Sequence, residues 1–495
     1  MPLEVLWRQS CSEERMDTVS RESFVADYTK ALRNNSAAVF IGAGLSRASG
    51  FVDWRELLRD IATDLKLDVD HETDLIAVAQ YHLNKHGSRN KLNQLIVDQF
   101  TKDVQLTDNH RLLATLPLDT VWTTNYDKLV EVAFNEAHKR TDVKIVQKNL
   151  ATTRSGRVVT IYKMHGDVDH AHDAVLTKDD YETFASNRNL FSVKLKGDLV
   201  EKTFLFLGYS FNDPNIDYVL SRIRALLDQD SRQHYCIMRW PEKAKGSRGK
   251  KKADYDYARR KLELRVADLK RYGIQAVMID RYDELTAILD ELNHRIHLRD
   301  VFVSGSAHDF APMGQERVEK LAYAIGRNLI QNGCNLVSGV GLGVGGNVVI
   351  GALESLLATG REDLSDRLTL RPFPQQPPSG MSRADFWTRY RQDMIRQSGA
   401  CIFISGNKLD GGKVIEAKGV IEEFDIAHSL GKYPIPIGAT GHAARQLWKY
   451  VSTDLPAFYP KGGVKKFFDI LGDVSRSNEE IVRAVVGILK QIKAF

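Results

Sequence analysis

Two glycine-rich loops in this chain carry residue types suited to holding a phosphorylated ligand. The first, Gly42-Ala43-Gly44-Leu45-Ser46, follows the apolar run 37–41 and precedes a turn and a helical stretch. Glycine lets backbone amides approach an anion closely, and a helix start adds the positive end of its dipole. Three more strand-like runs end in polar or glycine-containing segments: Thr123-Thr124-Asn125-Tyr126-Asp127, Met164-His165-Gly166-Asp167 and Phe206-Leu207-Gly208-Tyr209-Ser210. An imidazole that titrates near neutrality suits general-base work. Alone, a GxG reads equally as a tight strand-to-helix turn, and a strand-end histidine as a packed or capping residue. Four such strand ends in one domain point to a site, because open α/β sheets bind ligands at the C-terminal ends of their strands.

The second loop pair lies far downstream. Val303-Ser304-Gly305-Ser306-Ala307 ends one strand-like run, and the stretch from Ser338 to Gly346 ends the next. Converging backbone amides from two neighbouring loops form a cradle for nucleotide phosphate. The alternative is glycine used for helix–strand packing. Glycines at 339, 341, 343, 345 and 346 carry a combined entropic cost that packing alone explains less well.

Such loops need parallel strands to carry them. Apolar strand-like runs recur at 37–41, 120–124, 158–164, 203–208 and 234–239, with helical segments between them, including 21–34, a long stretch over 60–110 and 254–272. A second alternation begins near Arg299. DVFVSGSA (300–307) reads as strand then turn and CNLVSGVGLGVG (334–345) as strand then glycine loop; further strands are read at 368–373, 400–405 and 434–438, and helices at 315–332, 347–358, 383–398 and 414–430. The fold class is α/β, with two Rossmann-like doubly wound domains. The boundaries are a flexible N-terminus over 1–20, a first domain over 21–298 and a second over 299–495, with 283–298 as the helix leading into the linker.

Composition excludes several classes. The 495 residues are 43% hydrophobic and 27% charged, ordinary for globular protein. With 69 basic and 64 acidic side chains, the net charge of +5 gives no reason to expect nucleic acid. The basic run 243–252 lacks interleaved aromatics and reads as a solvated loop. No apolar run is long enough to span a bilayer and no secretory leader is visible, so a cytoplasmic chain with no membrane partner is expected. Cys11, Cys236, Cys334 and Cys401 are scattered, without a CxxC pair. No tetrahedral thiolate site, and no metal, is expected.

The first set of motifs resembles the sirtuin family, which cleaves NAD at the nicotinamide–ribose bond. GAGLS is similar to its phosphate loop, SGFVDWR to its SGIPDFR, TTNYD to its TQNID, and KMHG to its strand-borne HG. The resemblance covers about the first 285 residues, but the paired CxxC motifs of the deacylase zinc module are absent, with the helical stretch 60–110 in their place. That favours water over an acyl-lysine as the acceptor. The resemblance implies NAD as substrate, with Asn125 binding a ribose hydroxyl or the attacking water and His165 accepting a proton. It places Asp127 at the ribose, Phe51 and Asp53 at the nicotinamide end, and Gly42, Ala43, Gly44 and Ser46 at the diphosphate, with Gly208 and Ser210 beside them.

The second set resembles the SLOG superfamily of nucleotide-binding Rossmann-like domains. The PGGxGTxxE motif of its hydrolase members is broken here, as Gly411-Gly412-Lys413-Val414-Ile415-Glu416, which favours binding over hydrolysis. A sirtuin-like domain followed by a SLOG domain resembles the NAD-depleting effectors of Thoeris anti-phage systems. That likeness implies an NAD+ glycohydrolase activated by a cyclic ADP-ribose isomer, which a TIR-domain partner makes, and a homo-oligomer, commonly a tetramer. Carried over by motif, the effector contacts are Ser304, Gly305, Ser306, Gly341, Gly343, Arg391, Lys408 and Glu423: cations for the phosphates and a carboxylate for the ribose hydroxyls. Two other readings stand beside this one, a sirtuin-type deacylase and a non-catalytic nucleotide-sensing scaffold.

Overall fold

The structure is a computed structural model. It describes residues 18–492 apart from Ser210, Asn212, 228–231, 243–249, 359–366 and Pro378. The chain divides into two compact units, Met1–Asn293 and His294–Phe495. The expected flexible N-terminus falls almost entirely outside the described residues.

The first unit is built on seven parallel strands: β1 (Ala37–Ile41), β2 (Thr120–Thr123), β3 (Thr141–Lys144), β4 (Val159–Lys163), β5 (Thr203–Leu207), β6 (His234–Arg239) and β7 (Ile274–Ile279). Their order across the sheet is β3-β4-β2-β1-β5-β6-β7. β1, β4 and β5 are buried at every position, and β1 and β5 accordingly read as mainly apolar runs in a sheet covered on both faces. The core is dense in aromatics. Phe40 stacks on Phe206, and the Trp122 ring lies over Tyr162 while its Nε1 donates to the buried carboxylate of Asp198 at 2.9 Å.

Two strands escape the sequence reading. β3 is the four-residue edge segment Thr-Asp-Val-Lys, which has no apolar run to mark it. β7 lies between the helical stretches 254–272 and 283–298, where no strand is read from the sequence. The stretch 60–110 is helical, as Arg59–Asp64, Leu75–His86, Asn90–Phe100 and the start of Asp108–Thr115. Both ends of Leu75–His86 have a local cause: Asp74 accepts from the Ala77 amide at its start, and Gly87 ends it in the left-handed region at φ +63°.

The second unit has five parallel strands, β8 (Asp300–Ser306), β9 (Asn335–Ser338), β10 (Leu368–Leu370), β11 (Ala400–Ser405) and β14 (Tyr433–Pro436), in the order β10-β9-β8-β11-β14. A separate antiparallel hairpin joins β12 (Asn407–Asp410) to β13 (Lys413–Glu416). Here the structure corrects the sequence. The helix expected over 414–430 starts only at Lys418, and Gly411 and Gly412 form the hairpin turn with φ +55° and +77°. Two successive left-handed residues define the tight turn whose twist matches its strands, so these glycines serve the hairpin.

Candidate active site and effector cavity

Strand register assembles the first site. Ile41 of β1 pairs with Thr123 of β2 and with Leu207 of β5, and Thr123 pairs with Lys163 of β4. The segments after these residues therefore leave the sheet side by side, about 4.8 Å apart from strand to strand. Gly42, Asn125, His165 and Gly208 each follow within two residues. β1 is also where the connections reverse direction, the switch point at which doubly wound sheets open a crevice.

The glycines do more packing than the sequence suggests. A Cβ on Gly42 would lie 2.5 Å from the Gly208 carbonyl oxygen, and one on Gly208, at φ +61°, would lie 2.3 Å from the Leu45 nitrogen. The Gly42 amide donates to Leu207 and the Gly44 amide to Gly208, each at 2.9 Å. The loop after β1 is thus clamped to the loop after β5, and the Gly44 amide is already committed within the protein. Ala43 begins the five-residue helix Ala43–Arg47. Ser210 lies outside the described residues.

Asn125 and His165 are both buried, at 6% and 2% exposure. The Asn125 side-chain nitrogen donates to the Ser46 hydroxyl at 3.0 Å, and its backbone amide donates to the Thr123 hydroxyl. Its Oδ1 is buried without a protein partner. One end of the amide is thereby fixed and the other left as an acceptor.

His165 has its Nε2 3.0 Å from the Asp213 carboxylate and its ring edge-on to Tyr181 and Phe184. Asp213, in the segment FNDPN, went unassigned by the sequence reading, although it caps the helix that starts at Pro214 by accepting from the amides of Asn215 and Ile216. Burial pushes the Asp213 carboxyl up. The His165 imidazole and the two amides outweigh it, and the net pKa is below the usual carboxylate value. The folded state then holds this proton less tightly than the unfolded chain. The arrangement contributes stability above the ordinary carboxylate pKa, and that contribution is lost as pH falls through the lower folded value. Asp213→Asn is expected to cost about 1–3 kcal/mol near neutrality and to flatten the acid limb of stability against pH. Denaturant melts from acid to neutral pH check this, and an unchanged acid limb would rule it out.

A second unassigned residue braces the same loops. Lys163 is fully buried, with its Nζ 2.8 Å from Glu131, 2.5 Å from Asp167 and 2.5 Å from the Asp127 carbonyl oxygen. Burial alone would lower its pKa, and the two carboxylates more than offset this, keeping it cationic. It ties the TTNYD segment to the KMHGD segment.

The remaining predicted contacts have structural partners. Asp127 accepts from the Leu129 amide at 3.0 Å. Asp53 caps the helix Trp54–Leu57 through the Glu56 amide and pairs with Arg47 at 3.2 Å. Phe51 is buried against Phe100, which in turn meets Tyr126. Cys236, Cys334 and Cys401 are buried, and burial raises the thiols of Cys236 and Cys401 to about 12, which leaves those two inert. Cys11 lies outside the described residues.

The second unit contains a cavity of about 400 Å3 at the C-terminal ends of its strands. Ser304, Gly305, Ser306, Gly341, Arg391, Lys408 and Glu423 all line it. Gly343 does not: at φ +76° it packs so closely that a Cβ would meet the Ala307 carbonyl oxygen at 2.2 Å. Gly341 is equally constrained, 2.0 Å from the Gly305 oxygen, so these loops interlock backbone to backbone as the first pair does.

Arg391 is 8% exposed and reaches Glu422 at 2.8 Å and Glu423 at 3.3 Å, and Glu423 also accepts from the Ser304 hydroxyl at 2.5 Å. Its guanidinium lies 5.0 Å from the Phe373 ring centre and 5.9 Å from that of Trp387. Burial raises the Glu423 pKa despite the hydroxyl and the guanidinium. Lys408 is half-exposed at the rim, 3.7 Å from Asp410. Phe373, Trp387 and Glu422 were not assigned from sequence. The readable signal was Trp387 four residues before Arg391, one helical turn away on the same face.

Fold and sites together define a SIR2-like domain joined to a SLOG domain. Residues 119–263 match the model of the SIR2-like domain, and residues 284–492 match that of the Sir2- and TIR-associating SLOG family. The chain is 42% identical to the NAD(+) hydrolase ThsA of Cytobacillus dafuensis over 97% of its own length and 99% of that protein. It is 43% identical to the NAD(+) hydrolase ThsA of Bacillus cereus (strain MSX-D12), covering 94% and 97%, and 41% identical to that of Acinetobacter baumannii (strain 532279), with the same coverage. The chain belongs to the ThsA family of NAD(+) hydrolases.

Proposed function

We propose that this chain hydrolyses NAD+ to ADP-ribose and nicotinamide, that a cyclic ADP-ribose isomer bound in the cavity of the second unit switches the reaction on, and that the resulting NAD loss serves anti-phage defence. The observation that carries the catalytic part is the split Asn125 amide, with its nitrogen held by Ser46 and its oxygen buried without a partner. That oxygen takes a hydrogen bond from a ribose hydroxyl or from the attacking water. Nicotinamide is a cationic leaving group in NAD+, so the C1′–N bond breaks through an oxocarbenium-like state and nicotinamide departs neutral. The water oxygen bonds to C1′, and one of its protons passes to His165, whose Nε2 lies 3.0 Å from the Asp213 carboxylate.

The low exposure of both side chains is in keeping with a gated reading, in which the site opens to admit substrate. A ligand drives such a change only by binding two conformations unequally. The second cavity has suitable chemistry, with Arg391 and Lys408 for phosphate and Glu423 for a ribose diol. A TIR-domain partner supplies the ligand in this reading, in keeping with the name of the matching SLOG family, and the chain works as a homotetramer.

The test is nicotinamide release from NAD+ by the full chain, with and without a cyclic ADP-ribose isomer, beside an acetyl-lysine peptide. Release that rises with the isomer and leaves the peptide untouched is expected. Peptide deacylation would establish the deacylase reading, and no release under either condition would establish the scaffold.

A further inference from the structure

The helical stretch of the first unit contains a cluster that the NAD site does not use. His82 and His86 lie four residues apart on the helix Leu75–His86, so they share a face, with ring centres 4.4 Å apart. Asp64, at the end of the helix Arg59–Asp64, meets both. Its Oδ2 is 3.2 Å from His82 Nε2 and 2.8 Å from His86 Nε2. All three potential ligand atoms lie within 4.8 Å of one another.

We propose that Asp64, His82 and His86 form a site for Zn2+ or a similar first-row divalent cation, with water completing the coordination. Zinc binds imidazole nitrogen and carboxylate oxygen at about 2.0–2.2 Å, which puts tetrahedral ligand atoms about 3.3 Å apart. The His82–Asp64 separation of 3.2 Å matches that spacing, and the His86–Asp64 separation of 2.8 Å opens by about half an ångström to reach it. An imidazole and carboxylate set selects zinc, cobalt or nickel over magnesium or calcium, which prefer all-oxygen shells.

An independent observation points the same way. The His82 side chain is 1% exposed, and its Nε2, although 3.2 Å from the Asp64 carboxylate, makes no hydrogen bond. A buried polar group left this way is costly, and a metal bond to Nε2 removes the cost there. His86 is 40% exposed, which provides an entry path and room for a water ligand. Lys91 competes for Asp64 from 3.4 Å, but its side chain is 54% exposed and free to swing into solvent.

The cation acts as a clamp between two helices. It joins the end of Arg59–Asp64 to Leu75–His86, and the latter carries Gln80. Gln80 exchanges two hydrogen bonds with Asp179, at 2.9 and 3.0 Å, in the segment that follows the His165 loop. The expectation of a metal-free chain came from cysteine spacing alone and does not bear on a histidine and carboxylate site.

The experiment uses the full chain, stripped with a chelator and titrated with Co2+ followed by absorbance. One Co2+ per chain, displaced by Zn2+, is expected, together with a rise in melting temperature when Zn2+ is added. His86→Gln and Asp64→Asn should each weaken Co2+ binding by at least about 100-fold and cancel the thermal shift. His86 is partly exposed, so His86→Gln decides the matter if Asp64→Asn does not fold. Uptake well below one equivalent, or uptake unchanged in a folded His86→Gln chain, would overturn the proposal.

Discussion

Asn125→Ala is expected to leave a folded chain that releases nicotinamide about 10²–10³ times more slowly than the parent under full activation, the usual loss when one oriented hydrogen-bonding group leaves a reaction site. Folding should survive because the substitution removes a single side-chain hydrogen bond, to Ser46, worth about 1 kcal/mol. The backbone bond to Thr123 remains. His165→Ala is expected to lose about 10²–10⁴, the range for a general base. It also strands the Asp213 carboxylate in a buried position, so its melting temperature should fall, which distinguishes it from Asn125→Ala. Rates measured at saturating NAD+ with a parallel thermal melt separate chemistry from folding. Full activity in a folded His165→Ala chain would remove His165 from the mechanism.

Arg391→Ala should reduce the ratio of rates with and without the cyclic ADP-ribose isomer to about one. The guanidinium is held over Phe373 and Trp387 and against two carboxylates. Its removal deletes a phosphate partner and leaves Glu422 and Glu423 facing the ligand without compensation. Truncating one member of a buried charge pair at an interface typically costs about 2–5 kcal/mol, roughly 30- to 4000-fold in affinity. Lysine is not an equivalent, because it lacks the planar fork that spans Glu422 and Glu423, so Arg391→Lys should restore little. Lys408→Ala should have a smaller effect, since Lys408 is half-exposed at the rim. Calorimetric titration alongside the rate assay shows whether binding or only its transmission is lost. Normal activation in both alanine variants would place the effector elsewhere.

Much of this arrangement was legible in the chain itself. A parallel sheet covered on both faces needs strands that are largely apolar, and β1 and β5 announce themselves that way. Polar residues directly after such strands collect along one sheet edge, so Asn125 and His165 could be read as neighbours. β3 was silent because a short polar edge strand has no such signature. The glycines were legible as special positions, but not what they approach. Gly42, Gly44 and Gly208 fit each other's backbones, as do Gly305 and Gly341.

The sequence by itself determined the class of fold, the order of the two units and the strand ends where the candidate sites gather, because these depend on local hydrophobic pattern and on short segments of fixed composition. Only the tertiary structure decided the partners. Asp213 beside His165, Lys163 between Glu131 and Asp167, Arg391 against Glu422 and Glu423, and Asp64 facing His82 and His86 are contacts between elements distant in the chain or set by how helices pack. A charge or an imidazole has the same local signature whether it meets water or another side chain. Its role is set by what packing brings within about 3 Å, where desolvation makes a hydrogen bond or ion pair decisive.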